Sequence, residues 1–409
     1  MATTTAHEHP SLSQVFRAQP LPVWITAFAA VIAFMGIGLV DPILTSISES
    51  LGATPAQTTL LFSSYLGVQV IAMLLTGVAA YRFGPKRTLV AGLALIVLAA
   101  GLCAAASSID QLVALRALWG LGNALFIATA LSIIVGAASG GQQGAILLYE
   151  AALGIGLSVG PLVGAVLGSL SWRGPFAGTA ILMGAALIMS ALLLPRDHGE
   201  RTPIRLRDPL LALRDRALLS TSIGAALYTA GFFTVLAWVP FILHRGPFFI
   251  GAIFFAWGIA VALSGVILAP RLAHRFGERH TTIGVVLVYA LLLLTIAVGS
   301  TPVIIAAVVL SGLASGVLNT LFTGIAMSTT SSPRAVASAG YNFCRWAGGA
   351  IAATLVGHIA IWTGTDRAPM LVAAIACVAA ALVLAYRESE VCDPDPREVP
   401  ALATVAGAD

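Results

Sequence analysis

The sequence predicts an all-α polytopic membrane protein, with twelve transmembrane helices in two pseudo-symmetric six-helix bundles. Three observations predict it. Of 409 residues, 58% are hydrophobic and only 9% charged, against about 25% charged in an ordinary soluble domain. Apolar runs of about 20 residues, enough to cross a hydrocarbon core, recur between short polar breaks. The chain also echoes itself: "YRFGPKRT" (81–88) returns as "HRFGERHT" (274–281), and "GLGNALF" (120–126) as "GVLNTLF" (316–322), offsets of 193 and 196.

Taken in order, residues 1–21 form a cytoplasmic N-terminal segment. It lacks the basic start and short apolar core of a cleavable signal, so the first span acts as an uncleaved insertion signal. The first bundle, 22–195, holds spans 22–46, 57–81, 88–107, 111–137, 144–170 and 176–195. Span 2 ends at the basic loop 81–88. Spans 3 and 4 share only Asp110 and Arg116 as charged residues across 88–137. Span 5 carries Glu150 at the head of a glycine-rich run, "YEAALGIGLSVGPLVG" (149–164). The polar stretch 196–218 is the linker. The second bundle, 219–386, holds spans 219–243, 250–272, 281–299, 302–328, 335–362 and 368–386. Residues 387–409, rich in proline and acid, read as a disordered cytoplasmic tail.

The net charge of +4 follows topology. Sixteen basic residues fall in one set of loops and termini, and three (Arg173, Arg245, Arg367) in the other; Arg116 and Arg345 lie within spans. Positive loops stay cytoplasmic, so both termini are expected inside, in a bacterial inner membrane. Nothing in this distribution supports nucleic-acid binding. The four cysteines show neither metal spacing nor a disulfide framework. Only His358 of seven histidines lies well inside a span, and no nucleophile–base cluster appears, so no enzyme is expected. A non-transporting receptor fits poorly with carboxylates inside the membrane.

A duplicated six-helix unit is the build of secondary transporters, whose sites lie near the midplane between the repeats. At these residues the chain resembles the major facilitator superfamily, and within it the twelve-helix bacterial drug–proton exporters. The loop pattern appears as Gly77, Ala80, Arg82, Gly84 and Lys86, with Tyr81 where the family usually has Asp. That Asp helps lock the halves together in the family, so the resemblance leaves this latch open here. "RALWGLGNA" (116–124) matches the helix-4 motif through Arg116, and "GIGLSVGPLVG" (154–164) the helix-5 motif associated with exporters. "LVDPIL", "GNALF", "LYEAALG" and "YNFCRWAGGAIA" resemble a multidrug and siderophore exporter subgroup. The resemblance implies that helices 1 and 4 line the cavity together, and that the Gly156, Gly160, Pro161 face meets helix 8 at the seam between halves.

Only two carboxylates, Asp41 and Glu150, and two arginines, Arg116 and Arg345, fall within spans. Intramembrane charges are functional candidates by default. Asp41 and Arg116 share a depth about five residues, or ~8 Å, from the outer ends of their spans; they form an ion pair, direct or water-bridged, that is either purely structural or linked to protonation. Glu150 lies about six residues into span 5 and either handles a proton or belongs to a structural charge pair. Arg345 occupies the equivalent place in the second half. Helical spacing puts Phe34 and Gly38 on the Asp41 stripe, and Asn123 and Ile127 on the Arg116 stripe with Trp119 beside it. Ser315, Asn319 and Thr323 form a stripe on span 10, and span 7 adds Tyr228, Phe232 and Phe233. Such a lining suits amphipathic organic substrates, although the same polar residues also serve as glue between membrane helices. The expected protein is a monomer that exports amphipathic, drug-like compounds in exchange for protons by alternating access, with no cofactor beyond the proton gradient. A dedicated siderophore or natural-product exporter, or an importer on the same fold, is the alternative.

Overall fold

The computed structural model describes residues 19–53, 55–137, 141–195, 205–243, 245–330 and 334–392; within these, the side chain of Asp41 lies outside the described part. Twelve of the described helices are long and apolar enough to cross a membrane. They are α1 (Leu21–Gly38), α2 (Pro55–Phe83), α3 (Pro85–Ala105), α4 (Ile109–Ala137), α5 (Gly141–Leu170), α6 (Gly174–Leu193), α7 (Arg216–Leu243), α8 (Pro247–Leu263), α9 (Glu278–Val298), α10 (Thr301–Ser328), α11 (Arg334–Thr363) and α12 (Ala368–Cys392). α8 runs on through a π-helical turn, Ser264–Leu268, into Ala269–Phe276. The protein is a multi-pass α-helical membrane protein with no strand among its described residues.

Three boundaries depart from expectation. The first span does not run unbroken to residue 46: α1 stops at Gly38, a 3-10 turn occupies Asp41–Ile43, and a separate helix covers Leu44–Leu51. Pro42 has no N–H to continue the ladder, so Asp41 sits beyond the end of α1. The linker contains a short helix, Asp208–Ala212, and α7 begins at Arg216. α12 continues to Cys392, so residues 387–392 are helical rather than disordered; the segments 1–18 and 393–409 lie outside the described residues.

The packing repeats between halves. α1 lies on α5 as α7 lies on α11, α2 on α4 as α8 on α10, and α3 on α6 as α9 on α12. Two long contacts join the halves, α5 with α8 and α2 with α11. The pairs exchange under the repeat, since α2 corresponds to α8 and α5 to α11.

Basic side chains tie the helix ends together in the same duplicated way. Gly84 and Gly277, at φ +93° and +81°, turn α2 into α3 and α8 into α9 in a conformation that glycine alone adopts without strain. Two residues on, Lys86 donates to the Leu194 carbonyl at the end of α6, and Arg279 to the Leu384 carbonyl in α12. At the opposite end, Arg173 donates to Ala106 O at 2.7 Å, beyond the last turn of α3. Arg367 donates to Ile296, Ala297 and Gly299 carbonyls at 3.0–3.2 Å, at the end of α9. Carbonyls at a helix C-terminus lack intrahelical partners and carry the negative end of the dipole. Two of the three arginines on the sparsely basic side are therefore helix caps.

Candidate transport site between the two halves

Glu150 and Arg345 meet. The Arg345 Nη1 to Glu150 Oε1 separation is 3.7 Å, and both side chains are buried. Thr323 Oγ1 donates to the same Glu150 oxygen at 3.1 Å. Arg345 also donates through Nη2 to Asn319 Oδ1 at 2.9 Å and through Nη1 to Thr323 Oγ1 at 3.4 Å. Tyr228 OH donates to Asn319 Oδ1 at 3.2 Å and to the Ser315 carbonyl at 3.3 Å. The Tyr341 hydroxyl lies 3.4 Å from Thr323 Oγ1. A carboxylate from α5 thus reaches across the seam into a polar cluster built by α7, α10 and α11. At 3.7 Å the Coulomb attraction is about 4 kcal/mol at an effective dielectric of 20. Burial costs several kcal/mol per ion, so the direct attraction alone does not repay desolvation of both charges, and the hydrogen bonds from Thr323 to Glu150 and from Arg345 to Asn319 offset part of that cost.

Beside this pair lies a narrow cavity lined from the first half by Phe34, Ile37, Leu153 and Leu157, and from the second by Thr229, Phe232, Phe233, Asn319, Arg345 and Trp346. Leu153 and Leu157 lie one and two turns along α5 from Glu150, on the same face. Phe34 meets Tyr149 edge-on at 5.5 Å, and Tyr228 stacks on Phe322 at 5.9 Å. Asn319 Nδ2, Thr229 Oγ1 and Glu150 Oε2 are buried with no hydrogen-bond partner among the described residues. The free space within this lining is small, about 10 Å³.

Other candidates lie elsewhere. Arg116 is fully buried in the first half. Its Nε and Nη1 donate to Leu61 O and Gly36 O at 3.4 and 3.5 Å, and its guanidinium lies 4.3 Å from the Tyr65 ring centroid. The expected partner, the Asp41 side chain, lies outside the described part. Trp119 packs over Gly36 and edge-on to Phe176, inside the first bundle and away from the cavity lining. Asn123 Nδ2 donates to Tyr65 OH at 2.6 Å and Gln69 Oε1 at 3.0 Å, so it braces α4 against α2. Ser315 Oγ is buried without a partner among the described residues.

The glycine face requires a correction. A Cβ at Gly156 would meet Val31 O at 2.5 Å, and one at Gly160 Met35 O at 2.6 Å. These residues pack α5 on α1 within the first half, not on α8. The seam face is Gly154, whose Cβ would lie 2.7 Å from Ala262 Cα, together with Ser158, which lies against Gly258 and donates to Phe255 O at 2.9 Å. Pro161 borders both faces, touching Gly38 with its ring and Gly251 with its carbonyl.

The Major Facilitator Superfamily model matches residues 26–353 and again 222–407. The chain belongs to the Major Facilitator Superfamily. It is similar to the multidrug efflux protein YfmO of Bacillus subtilis (strain 168), with 43% identity over 344 residues, 84% of this chain and 87% of that protein. It is also similar to the class C tetracycline resistance protein of Escherichia coli, with 28% identity over 266 residues, 61% of this chain and 66% of that one. Among solved structures, the human organic anion transporter MFSD10 (TETRAN) has the same fold, with a TM-score of 0.73, 18% identity, and coverage of 90% of this chain and 100% of that one.

Of the superfamily loop residues, Gly77 lies within α2, Arg82 occupies its last turn, Gly84 forms the turn and Lys86 caps α6. Tyr341, Trp346 and Thr229 are additions that sequence reasoning did not single out. Tyr341 and Trp346 flank Arg345 at i−4 and i+1, the one signal that pointed to them.

Proposed function

We propose that the protein exports amphipathic, drug-like organic compounds in exchange for protons, by alternating access to a site between its two halves. The observation that carries this reading is the buried Glu150–Arg345 pair, which bridges the seam beside an aromatic-lined cavity. Arg345 lines that cavity and also holds Glu150, so cavity occupancy and the charge on Glu150 act on one guanidinium. That shared group is what coupling between two binding events requires. A proton on Glu150 removes its attraction for Arg345 and loosens α5 from α10 and α11. Phe34, Phe232, Phe233 and Trp346 supply apolar area for the substrate; Asn319 and Thr229 supply polar atoms free to orient it. The names of the relatives, multidrug efflux and tetracycline resistance, support export over import. We place both termini on the cytoplasmic side of a bacterial inner membrane, with the protein a monomer, and assign it no catalysis.

The test uses purified protein in proteoliposomes with an imposed pH gradient and a fluorescent amphipathic dye. Uphill dye movement should appear with the gradient and vanish when a protonophore collapses it. Uphill movement that survives the protonophore would reject proton coupling.

A further inference from the structure

A second feature lies at the end of the molecule that carries the basic loops. There the linker residues Arg205, Leu206, Arg207 and Leu210 face Ile71, Leu74 and Leu75 of α2 across an open groove of about 480 Å³, within the range of roughly 300–1,000 Å³ typical of small-molecule sites. We infer that this groove binds an anionic phospholipid, its headgroup on Arg205 and Arg207 and an acyl chain along α2. Ile71 and Leu75 are 66% and 46% exposed on a membrane-spanning helix, so the groove opens toward lipid. The two arginines stand at its rim, and neither side chain has an ion-pair partner among the described residues.

The nearby acids are otherwise engaged. Asp208 accepts from the backbone N–H of Arg205 at 2.6 Å, and Asp215 from those of Ala217 and Leu218 at the start of α7. Neither carboxylate forms an ion pair with Arg205 or Arg207 among the described residues, so both guanidinium groups can meet an outside anion. A basic pocket beside transmembrane helices is the signature of an anionic headgroup site. A second groove, between α7 and α12, has a similar mix, with Arg216 beside Leu219, Ile223, Leu382 and Val383.

The groove has one wall in each half. Ile71, Leu74 and Leu75 belong to the first. The linker helix is fixed to the second through Pro209, whose carbonyl lies where a Cβ on Gly340 of α11 would fall, 2.5 Å away. A lipid seated there favours the arrangement that keeps α2 beside the linker. This inference stands apart from the transport reading.

The experiment places the full chain in phosphatidylethanolamine vesicles doped with either a photoreactive phosphatidylglycerol or a photoreactive phosphatidylcholine, and maps the crosslinks by peptide mass spectrometry. Phosphatidylglycerol should label 71–75 and 205–210 several-fold more than phosphatidylcholine. The double variant Arg205→Gln/Arg207→Gln should lower the phosphatidylglycerol affinity about thirtyfold, from roughly one basic residue's surface attraction lost per substitution, and leave phosphatidylcholine labelling unchanged. High salt should weaken the wild-type phosphatidylglycerol signal by screening. Equal labelling by the two lipids, or full labelling of the double variant or at high salt, would overturn the site.

Discussion

At Arg345 one guanidinium serves acceptors from two helices: Glu150 on α5, and Asn319 and Thr323 on α10. Removing one partner of a buried ion pair leaves the other charge uncompensated, at a cost of about 3–5 kcal/mol. Arg345→Gln should therefore lower the thermal unfolding temperature of the detergent-purified protein markedly. The double variant Glu150→Gln/Arg345→Gln should recover much of the loss, because no bare charge remains. Additive losses in that cycle would show that the two side chains do not interact. Glu150 was legible in the sequence as one of two carboxylates within spans, and Arg345 as its counterpart at the repeat offset. Their meeting was not legible, because spacing gives each residue a depth and a face on its own helix but not the rotation of that helix against its neighbour.

Helices carry two faces at once, and α5 shows why the sequence could not assign them. Gly154 and Ser158 form one column, and Gly156, Gly160 and Gly164 another. Both are runs of small residues at i+4 spacing, so nothing in the sequence says which meets α1 and which meets α8. Gly160→Ala drives a Cβ onto the Met35 carbonyl and should destabilise the first bundle. Gly258→Ala drives one onto Ser158 at the seam; it should leave each bundle folded and impair transport, seen as near-normal thermal unfolding with a reduced dye rate. Equal destabilisation by both would erase the distinction between the faces. The arginine caps were readable in principle as Arg-x-Pro at 173–175 and again at 367–369, but a loop arginine reads first as a topology signal. Hydrogen bonds to charged groups contribute about 1.5–3 kcal/mol each. Arg367→Gln, which loses contacts to three carbonyls, should thus destabilise more than Arg173→Gln, which loses one. The reverse order in thermal unfolding would contradict the capping account.

At the scale of the whole molecule, the number of helices and their duplication were plain in the sequence, because apolar run length and repeated motifs survive without any knowledge of contacts. The break at Asp41–Pro42 was signalled by its proline but fell inside a stretch long enough to read as one span, and the π turn in α8 was not legible because it lies within a continuous apolar run. The proposed alternating access requires the contact between α2 and α11 to open, and there Thr354 Oγ1 donates to Ser63 Oγ at 3.2 Å. Ser63→Cys/Thr354→Cys, in a cysteine-free background, should arrest transport on oxidation and regain it on reduction. Undiminished transport by the oxidised, crosslinked protein would contradict movement at that seam. The central claim is that Glu150 links the proton to the substrate, and it is tested most directly by recording dye and proton fluxes together in proteoliposomes of wild type and Glu150→Gln. Wild type should move dye uphill with a dye-dependent proton counterflux, whereas Glu150→Gln should keep downhill dye exchange and lose both uphill movement and counterflux. Wild-type uphill transport and proton flux in Glu150→Gln would make the residue structural and place the coupling elsewhere.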